Sequence, residues 1–230
     1  MSIADNLARL HARITSAARG SSPPLLMAVS KTAHPDLIRE AYAAGQRLFG
    51  ESRIQELASK RAALADLPDA QWHMIGHLQT NKAPRAAELS HAIDSVDSLR
   101  LARKLDSAAS QLSKQLPILL EINIAAESAK TGLAPDSPEL EQLLLAAPEL
   151  THLQISGLMT IPPFFDDPQK ARPYFRRLRE LRDHLASRDL PAINLQQLSR
   201  GMSQDFEVAI QEGSTCVRIG TAIFGERPRP

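Results

Sequence analysis

Hydrophobic and polar positions follow a repeating pattern along the chain. Short apolar runs of strand length are each followed by a longer polar-rich segment whose apolar residues lie three or four apart, as on one face of a helix. Eight such runs occur, at 25–30, 47–50, 72–76, 92–96, 118–124, 155–160, 195–199 and 217–224. Helices are predicted at 35–44, 53–65, 81–89, 98–112, 137–146, 168–186 and 203–212. This alternation is typical of βα units and a parallel sheet.

An additional amphipathic helix is predicted over residues 2–19, where Ser2 and Asp5 have the spacing of a helix cap. Eight strands with their helices in 230 residues predict one α/β domain, 1–230, folded as a (β/α)8 TIM barrel with this extra N-terminal helix. An open doubly wound sheet is the alternative, because counting strands does not distinguish a closed sheet from an open one. The breaker-rich stretch 160–173 is predicted to be a long loop after the sixth strand.

Composition excludes several classes of protein. Hydrophobic residues make up 43% and charged residues 23%, and no apolar stretch approaches the roughly 18 residues of a membrane span. The net charge of +1, without a basic block, gives no indication of nucleic-acid binding. Cys216 is the single cysteine, which excludes an internal disulfide. Because the N-terminus lacks a signal-peptide pattern, we expect a cytoplasmic location.

The active site of such a barrel is built at the C-terminal ends of the strands, where the first strand runs directly into Lys31. The chain has seven lysines against 20 arginines, so this placement is notable. One interpretation is an ion-paired or snorkelling lysine at a strand end. The other is a partly desolvated amine that forms Schiff bases with aldehydes.

Phosphate sites in these barrels are commonly formed by the loops after strands seven and eight. The seventh strand leads into Ser199-Arg200-Gly201-Met202-Ser203, and the eighth leads into Gly220-Thr221. Each turn offers a glycine, a hydroxyl and backbone N–H groups, although Ser203 taken alone is interpreted as a helix cap.

Closure of a barrel places its last strand beside its first, so Arg218 is expected next to Lys31. An aldehyde bound to Lys31, with its phosphate on the two turns, would bring its ring near Arg218. If that ring were a pyridine, its nitrogen would accept a hydrogen bond from Arg218. Because arginine stays protonated, that nitrogen would remain unprotonated, and the ring would stabilise a carbanion only weakly.

Other polar residues give weaker signals. His73 and His77 are four apart in a predicted strand, where this spacing does not favour a zinc site. Glu121 and Asn123 are expected to point together into the barrel or toward its mouth, either as a buried hydrogen-bonded pair or as functional groups. Cys216 is interpreted as a small buried hydrophobe.

Five motifs resemble those of a known family, the YggS/PROSC-type pyridoxal-phosphate homeostasis proteins. They are AVSKT at 28–32, FGES at 49–52, HMIGHLQTNK at 73–82, GMSQD at 201–205 and VRIGTAIFG at 217–225. They span the chain in the family's order. The resemblance implies the barrel of fold-type III enzymes that use pyridoxal 5′-phosphate (PLP), such as alanine racemase, without the second β domain.

The resemblance also implies the site residues. It makes Lys31 the Schiff-base lysine, carrying PLP as a covalent aldimine, and it places Arg218 against the pyridine nitrogen. The phosphate would be held by Ser203, Gly220 and Thr221, with Ser199 and Met202 nearby. Two positions depart from the family pattern: Ser52 replaces the usual asparagine, and Arg200 replaces an apolar or small residue, adding charge near the phosphate or pointing to solvent.

The function expected from the resemblance is PLP carriage in intracellular PLP homeostasis without catalytic turnover, and the apo forms of PLP-dependent enzymes are candidate recipients. A monomer or weak dimer is expected. The alternative is a racemase-like PLP enzyme of fold type III, but Tyr42 and Tyr174 lie in predicted helices rather than at strand ends, where a second base would be needed. A phosphate-sugar isomerase or Schiff-base aldolase is compatible with the barrel and the phosphate turns taken alone.

Overall fold

The structure is a computed structural model that describes residues 2–127 and 130–226. Its strands are β1 Leu25–Val29, β2 Leu48–Glu51, β3 Gln71–Met74, β4 Ala92–Val96, β5 Leu116–Glu121, β6 Leu153–Met159, β7 Ile193–Ser199 and β8 Cys216–Ile219. The strands are parallel and pair in chain order, and β8 pairs with β1 to close the sheet. The predicted barrel is confirmed, and the open sheet is excluded.

Helices alternate with the strands and cover the outside of the barrel. They are α1 Ile3–Ala18, α2 Pro35–Ala43, α3 Ile54–Ala63, α4 Ala83–Leu89, α5 Leu99–Gln111, α6 Pro138–Ala146, α7 Arg172–Ala186, α8 Phe206–Gln211 and α9 Thr221–Phe224. The predicted extra N-terminal helix is α1, which packs against α8, α2 and α9. Its capping box is present: the Ser2 hydroxyl accepts the Asp5 N–H, and the Asp5 carboxylate accepts the Ser2 N–H.

The core has two layers because the strands are buried on both faces. The larger layer lies between the sheet and the helices and includes Leu57 and Leu105. A smaller apolar cluster fills part of the barrel interior and is formed by Met27, Val29, Ile75 and Cys216. Val29 and Ile75 also line the cavity at the barrel mouth, so this inner cluster forms part of its wall.

Several boundaries differ from the predictions by a few residues, and three of the differences concern residues considered for the site. The eighth strand ends at Ile219 rather than at 224, because the apolar residues that follow form α9; a short apolar run does not distinguish strand from helix. The seventh predicted helix begins at Phe206, so Ser203 is not its cap. The fifth strand ends at Glu121 rather than at 124, and Asn123 instead holds the next loop by donating to the Glu127 carbonyl at 2.8 Å.

No helix within the described ranges is both long and apolar enough to span a membrane.

A half-buried histidine makes the stability of this fold depend on pH. The Nδ1 atom of His91 accepts the Trp72 N–H at 2.9 Å, which requires an unprotonated nitrogen. Burial, together with the charges of Arg61 and Lys114, lowers the pKa of His91 to about 4. Because the histidine of the unfolded chain titrates near about 6.5, the unfolded state takes up the proton first as the pH falls.

We therefore expect stability to decrease as the pH falls from about 6.5 toward 4, by about 2 to 3 kcal/mol from this residue. Urea unfolding at pH 7 and pH 4.5 measures the effect. His91→Gln keeps an acceptor for the Trp72 N–H without titrating, so its loss of stability should be smaller by that amount. Equal losses in the two proteins would contradict the assignment.

Candidate functional site

A cavity of about 390 Å³ opens at the C-terminal mouth of the barrel. Six of the seven predicted site residues line it: Lys31, Met202, Ser203, Arg218, Gly220 and Thr221. The loops after β1, β7 and β8 therefore converge as the barrel geometry predicts. Ser52, which replaces the family's asparagine, also lines the cavity.

Lys31 lies at the mouth, immediately after the buried end of β1. Ser30 is fully buried, whereas Lys31 is half-buried and faces the cavity. The apolar run of β1 thus brings a cation to the boundary between the barrel interior and solvent. An amine in this position is accessible to a small molecule while remaining partly desolvated.

The turn after β7 presents backbone donors to the cavity. Gly201 has a φ of 92°, and a Cβ atom there would lie 2.6 Å from the Ala209 Cβ, so the turn requires glycine. The Met202 N–H donates to Asp205 Oδ1 at 2.6 Å. The next two amides, those of Ser203 and Gln204, have no acceptor in the part of the chain that the structure describes.

The turn after β8 is the second source of donors. Thr221 and Ala222 open α9, so their amides have no acceptor within the helix, and none elsewhere in the described chain. A Cβ atom at Gly220 would lie 3.1 Å from the Val29 carbonyl oxygen, so the backbone passes close to β1 here. Together the two turns form a cradle of unpaired N–H groups that suits a phosphate.

The backbone of Arg218 lies deeper in the barrel than that of Lys31, because Arg218 pairs in register with Met27, four residues before Lys31. Both side chains line the mouth cavity, and β8 lies beside β1 as the closure of the barrel predicts. Arg218 is buried, and burial lowers its pKa.

Two hydrogen bonds orient the Arg218 guanidinium. Nη1 donates to the Ser199 hydroxyl and Nη2 donates to the Thr160 carbonyl, each at 2.8 Å. Ser199, the seventh predicted site residue, is fully buried and does not line the cavity. Its contact with the site runs through Arg218.

Arg200 neither lines the cavity near the phosphate turns nor points to solvent, which were the two predicted alternatives. It is fully buried, donates to the carbonyls of Phe175 and Glu212, and so links α7 to the end of α8 rather than reaching a phosphate or solvent. Burial, with the nearby charges of Arg179 and Arg182, lowers its pKa to about 9. Its role is structural.

The loop after β6 forms one wall of the cavity, a role that was not predicted from the sequence. Ile161, Pro163, Phe164 and Phe165 line the cavity, and the Phe164 side chain is 68% exposed. The sequence feature that indicates this role is the length of the loop, because long loops at the C-terminal face of a barrel are often functional.

The remaining polar candidates have partners of their own. His73 pairs with Asp94 and His77 with Asp97, at 3.0 and 2.9 Å. Within residues 2–127 and 130–226, no group of three or more potential ligands could hold a metal ion. Burial raises the pKa of Cys216 to about 12, consistent with an unreactive buried thiol.

Glu121 and Asn123 do not form a hydrogen-bonded pair with each other, which was one of the two predicted alternatives. Glu121 Oε1 accepts the Thr131 hydroxyl at 3.0 Å, whereas Asn123 donates to the loop carbonyls of Glu127 and Lys130. Burial raises the pKa of Glu121.

Both tyrosines lie outside the cavity lining. The Tyr42 hydroxyl donates to Asp69, and the guanidinium of Arg47 lies over its ring. Tyr174 stacks on Phe165, with 5.8 Å between ring centroids. These contacts indicate packing roles.

Comparison with known proteins shows the family of this chain. The family described as "Alanine racemase, N-terminal domain" matches residues 3–228. The pyridoxal phosphate homeostasis protein of Aquifex aeolicus is 43% identical, and the alignment covers 99% of each chain. PipY of Synechococcus elongatus, in a structure with PLP bound, superposes with a TM-score of 0.85 at 39% identity, covering 97% of this chain and 100% of that one.

A more distant neighbour shows the fold alone. Alanine racemase of Clostridium difficile superposes with a TM-score of 0.73 at 14% identity, covering 98% of this chain and 58% of that enzyme. The shared part is the barrel.

Proposed function

Because the chain belongs to the family of pyridoxal phosphate homeostasis proteins, we propose that it binds PLP at the barrel mouth as a carrier in PLP homeostasis. One observation carries the proposal: Lys31 lines the same cavity as two turns of unpaired amides and a buried arginine. These groups fit the aldehyde, phosphate and pyridine nitrogen of PLP. When bound, PLP supplies an aldehyde that forms imines and a ring that accepts electrons.

We assign the covalent step to Lys31. Its unprotonated Nζ adds to the aldehyde carbon, and loss of water leaves a carbon–nitrogen double bond, the Schiff base. The position of Lys31 supports this assignment, because the half-buried side chain lines the cavity in which an aldehyde would lie.

The other site residues bind without covalent chemistry. Ser203, Gly220 and Thr221 hold the phosphate through hydroxyl and amide donors, and Met202 lies beside them. Arg218 donates to the pyridine nitrogen, and Ser199 orients Arg218. Since an arginine donor leaves that nitrogen unprotonated, the ring remains a weak electron sink.

Titration of the apo protein with PLP tests this function. We expect saturable binding with an absorption band at about 420 nm, shifted by borohydride. Pyridoxine 5′-phosphate, which has an alcohol in place of the aldehyde, should compete for the site without producing the band. Absence of PLP binding would refute the function.

We further propose that the protein has no catalytic turnover. A racemase requires a second base opposite the lysine, and neither tyrosine lines the cavity. Solvent deuterium exchange at the α-carbon of alanine should therefore proceed no faster than with free PLP. Enzyme-like exchange that Lys31→Ala abolishes would instead support the alternative, a racemase-like enzyme.

The biological setting follows from the same reasoning. We propose that residues 1–230 form a single PLP-binding domain, that the protein acts in the cytoplasm as a monomer or weak dimer, and that apo PLP-dependent enzymes receive its cofactor. Mixing the loaded protein with such an apoenzyme tests transfer. Activation faster than PLP release into buffer would indicate a direct route.

A further inference from the structure

The turn that carries Lys31 has an unfavourable backbone conformation. Lys31 and Thr32 are its central residues, and the Ala33 N–H closes it by donating to the Ser30 carbonyl at 2.9 Å. Thr32 has a φ of 66°, which is rare for a β-branched residue. Glycine or asparagine is usual where a turn requires positive φ at this position. A contact from outside the turn must therefore favour this conformation.

Two side chains of α3, one helical turn apart, supply that contact. Glu56 Oε1 accepts the Thr32 N–H at 2.5 Å, and Lys60 Nζ donates to the Ser30 carbonyl at 2.6 Å. The same ammonium donates to Glu56 Oε1 at 2.6 Å and to Glu51 Oε1 at 2.7 Å. All three of its protons are used.

These bonds fix the peptide groups on both sides of Lys31. The Ser30 carbonyl belongs to the peptide before Lys31, and the Thr32 N–H belongs to the peptide after it. Because φ and ψ are the two soft backbone torsions of a residue, fixing both peptide planes fixes the direction in which the side chain leaves the backbone. Lys60 is 4% exposed and Glu51 is fully buried, so water competes little with the bonds that Lys60 makes to Glu51 and to the Ser30 carbonyl. The bond between Glu56 and the Thr32 N–H lies at the surface.

We propose that Glu56 and Lys60 are positioning residues that clamp the turn and aim the Lys31 amine into the mouth cavity. This inference rests on the proposed function. Neither residue lines the cavity, so ligand contact does not account for the arrangement. Although burial acts to raise the pKa of Glu56, hydrogen bonds from Lys60 and the Thr32 amide lower it, which keeps the carboxylate ionised at neutral pH.

Variants of Glu56 separate positioning from general stabilisation. Glu56→Ala removes the acceptor, whereas Glu56→Gln keeps an oxygen for the Thr32 N–H. Thr32→Gly combined with Glu56→Ala removes the need for the clamp, because glycine adopts positive φ unaided. Glu88→Ala is the matched control, since it breaks the exposed pair with Arg85. Lys60→Ala is less informative, because it leaves Glu51 buried without its cation.

Two measurements are made on these proteins. In the apo protein, amide hydrogen exchange at Thr32 should accelerate about tenfold or more in Glu56→Ala and change little in Glu56→Gln. With PLP, the concentration that half-saturates the band at about 420 nm should rise by a similar factor in Glu56→Ala. The double variant should return the half-saturating PLP concentration to the wild-type value while keeping a melting temperature as low as that of Glu56→Ala. A merely stabilising role predicts that band and melting temperature move together.

Unchanged Thr32 exchange in Glu56→Ala, or a half-saturating PLP concentration in the double variant as high as in Glu56→Ala, would overturn the clamp. Absence of the band in the wild type would overturn the Schiff base instead. The exchange measurement uses no cofactor and would still decide the clamp.

Discussion

Alanine in place of Lys31 is expected to abolish the absorption band at about 420 nm and the borohydride trapping of PLP, while leaving the fold intact. The effect is all-or-none because the imine needs this amine. Noncovalent contacts remain in the variant, so PLP should still bind, but more weakly and with faster loss on dialysis. The thermal stabilisation given by PLP should decrease accordingly.

Lys82→Ala is the matched control for this experiment. Lys82 follows β3 on the same side of the barrel but does not line the cavity. Its variant should keep the band. Loss of the band in Lys82→Ala and its retention in Lys31→Ala would reverse the assignment.

Removing the phosphate from the ligand should have the second-largest effect. Several amide donors, those of Ser203, Gln204, Thr221 and Ala222, lack acceptors in the described chain, and charge-assisted hydrogen bonds contribute about 1.5 to 3 kcal/mol each. Two or more such bonds correspond to about 4 kcal/mol, so pyridoxal should bind about 1,000-fold more weakly than PLP. Isothermal titration with both ligands measures the ratio.

The Ser203 hydroxyl should contribute less to the free energy of PLP binding than the whole phosphate group does. Ser203→Ala is expected to weaken PLP binding by about 1 to 2 kcal/mol and to leave pyridoxal binding unchanged. Ser187→Ala, which removes an exposed hydroxyl at the end of α7, serves as control. Equal affinity of the wild type for PLP and pyridoxal would show that these turns are not the phosphate site.

The barrel could be predicted because the spacing of hydrophobic residues distinguishes the strands from the helices along the chain. The order of eight strands then determines which loops meet at the mouth, so Lys31, Ser203 and Thr221 could be brought together without coordinates. The end of β8 was mispredicted because an apolar run shared by a strand and a short helix has no distinguishing period.

The directions of individual side chains and the contacts between distant parts of the chain could not be predicted from the sequence. Arg200 belongs to the turn after β7, but its side chain is directed inward between α7 and α8. The depth of Arg218 depends on the register between β1 and β8, which strand order does not define. The contact of Lys60 with the Ser30 carbonyl joins elements 30 residues apart, and no local pattern predicts it.

Peptide mass mapping of the borohydride-reduced PLP complex tests the central claim most directly. Reduction converts the imine to a stable secondary amine, so the modified lysine can be identified by its mass. We predict a single phosphopyridoxyl adduct, on Lys31. An adduct on any other lysine, or none from a protein saturated with PLP, would contradict the account.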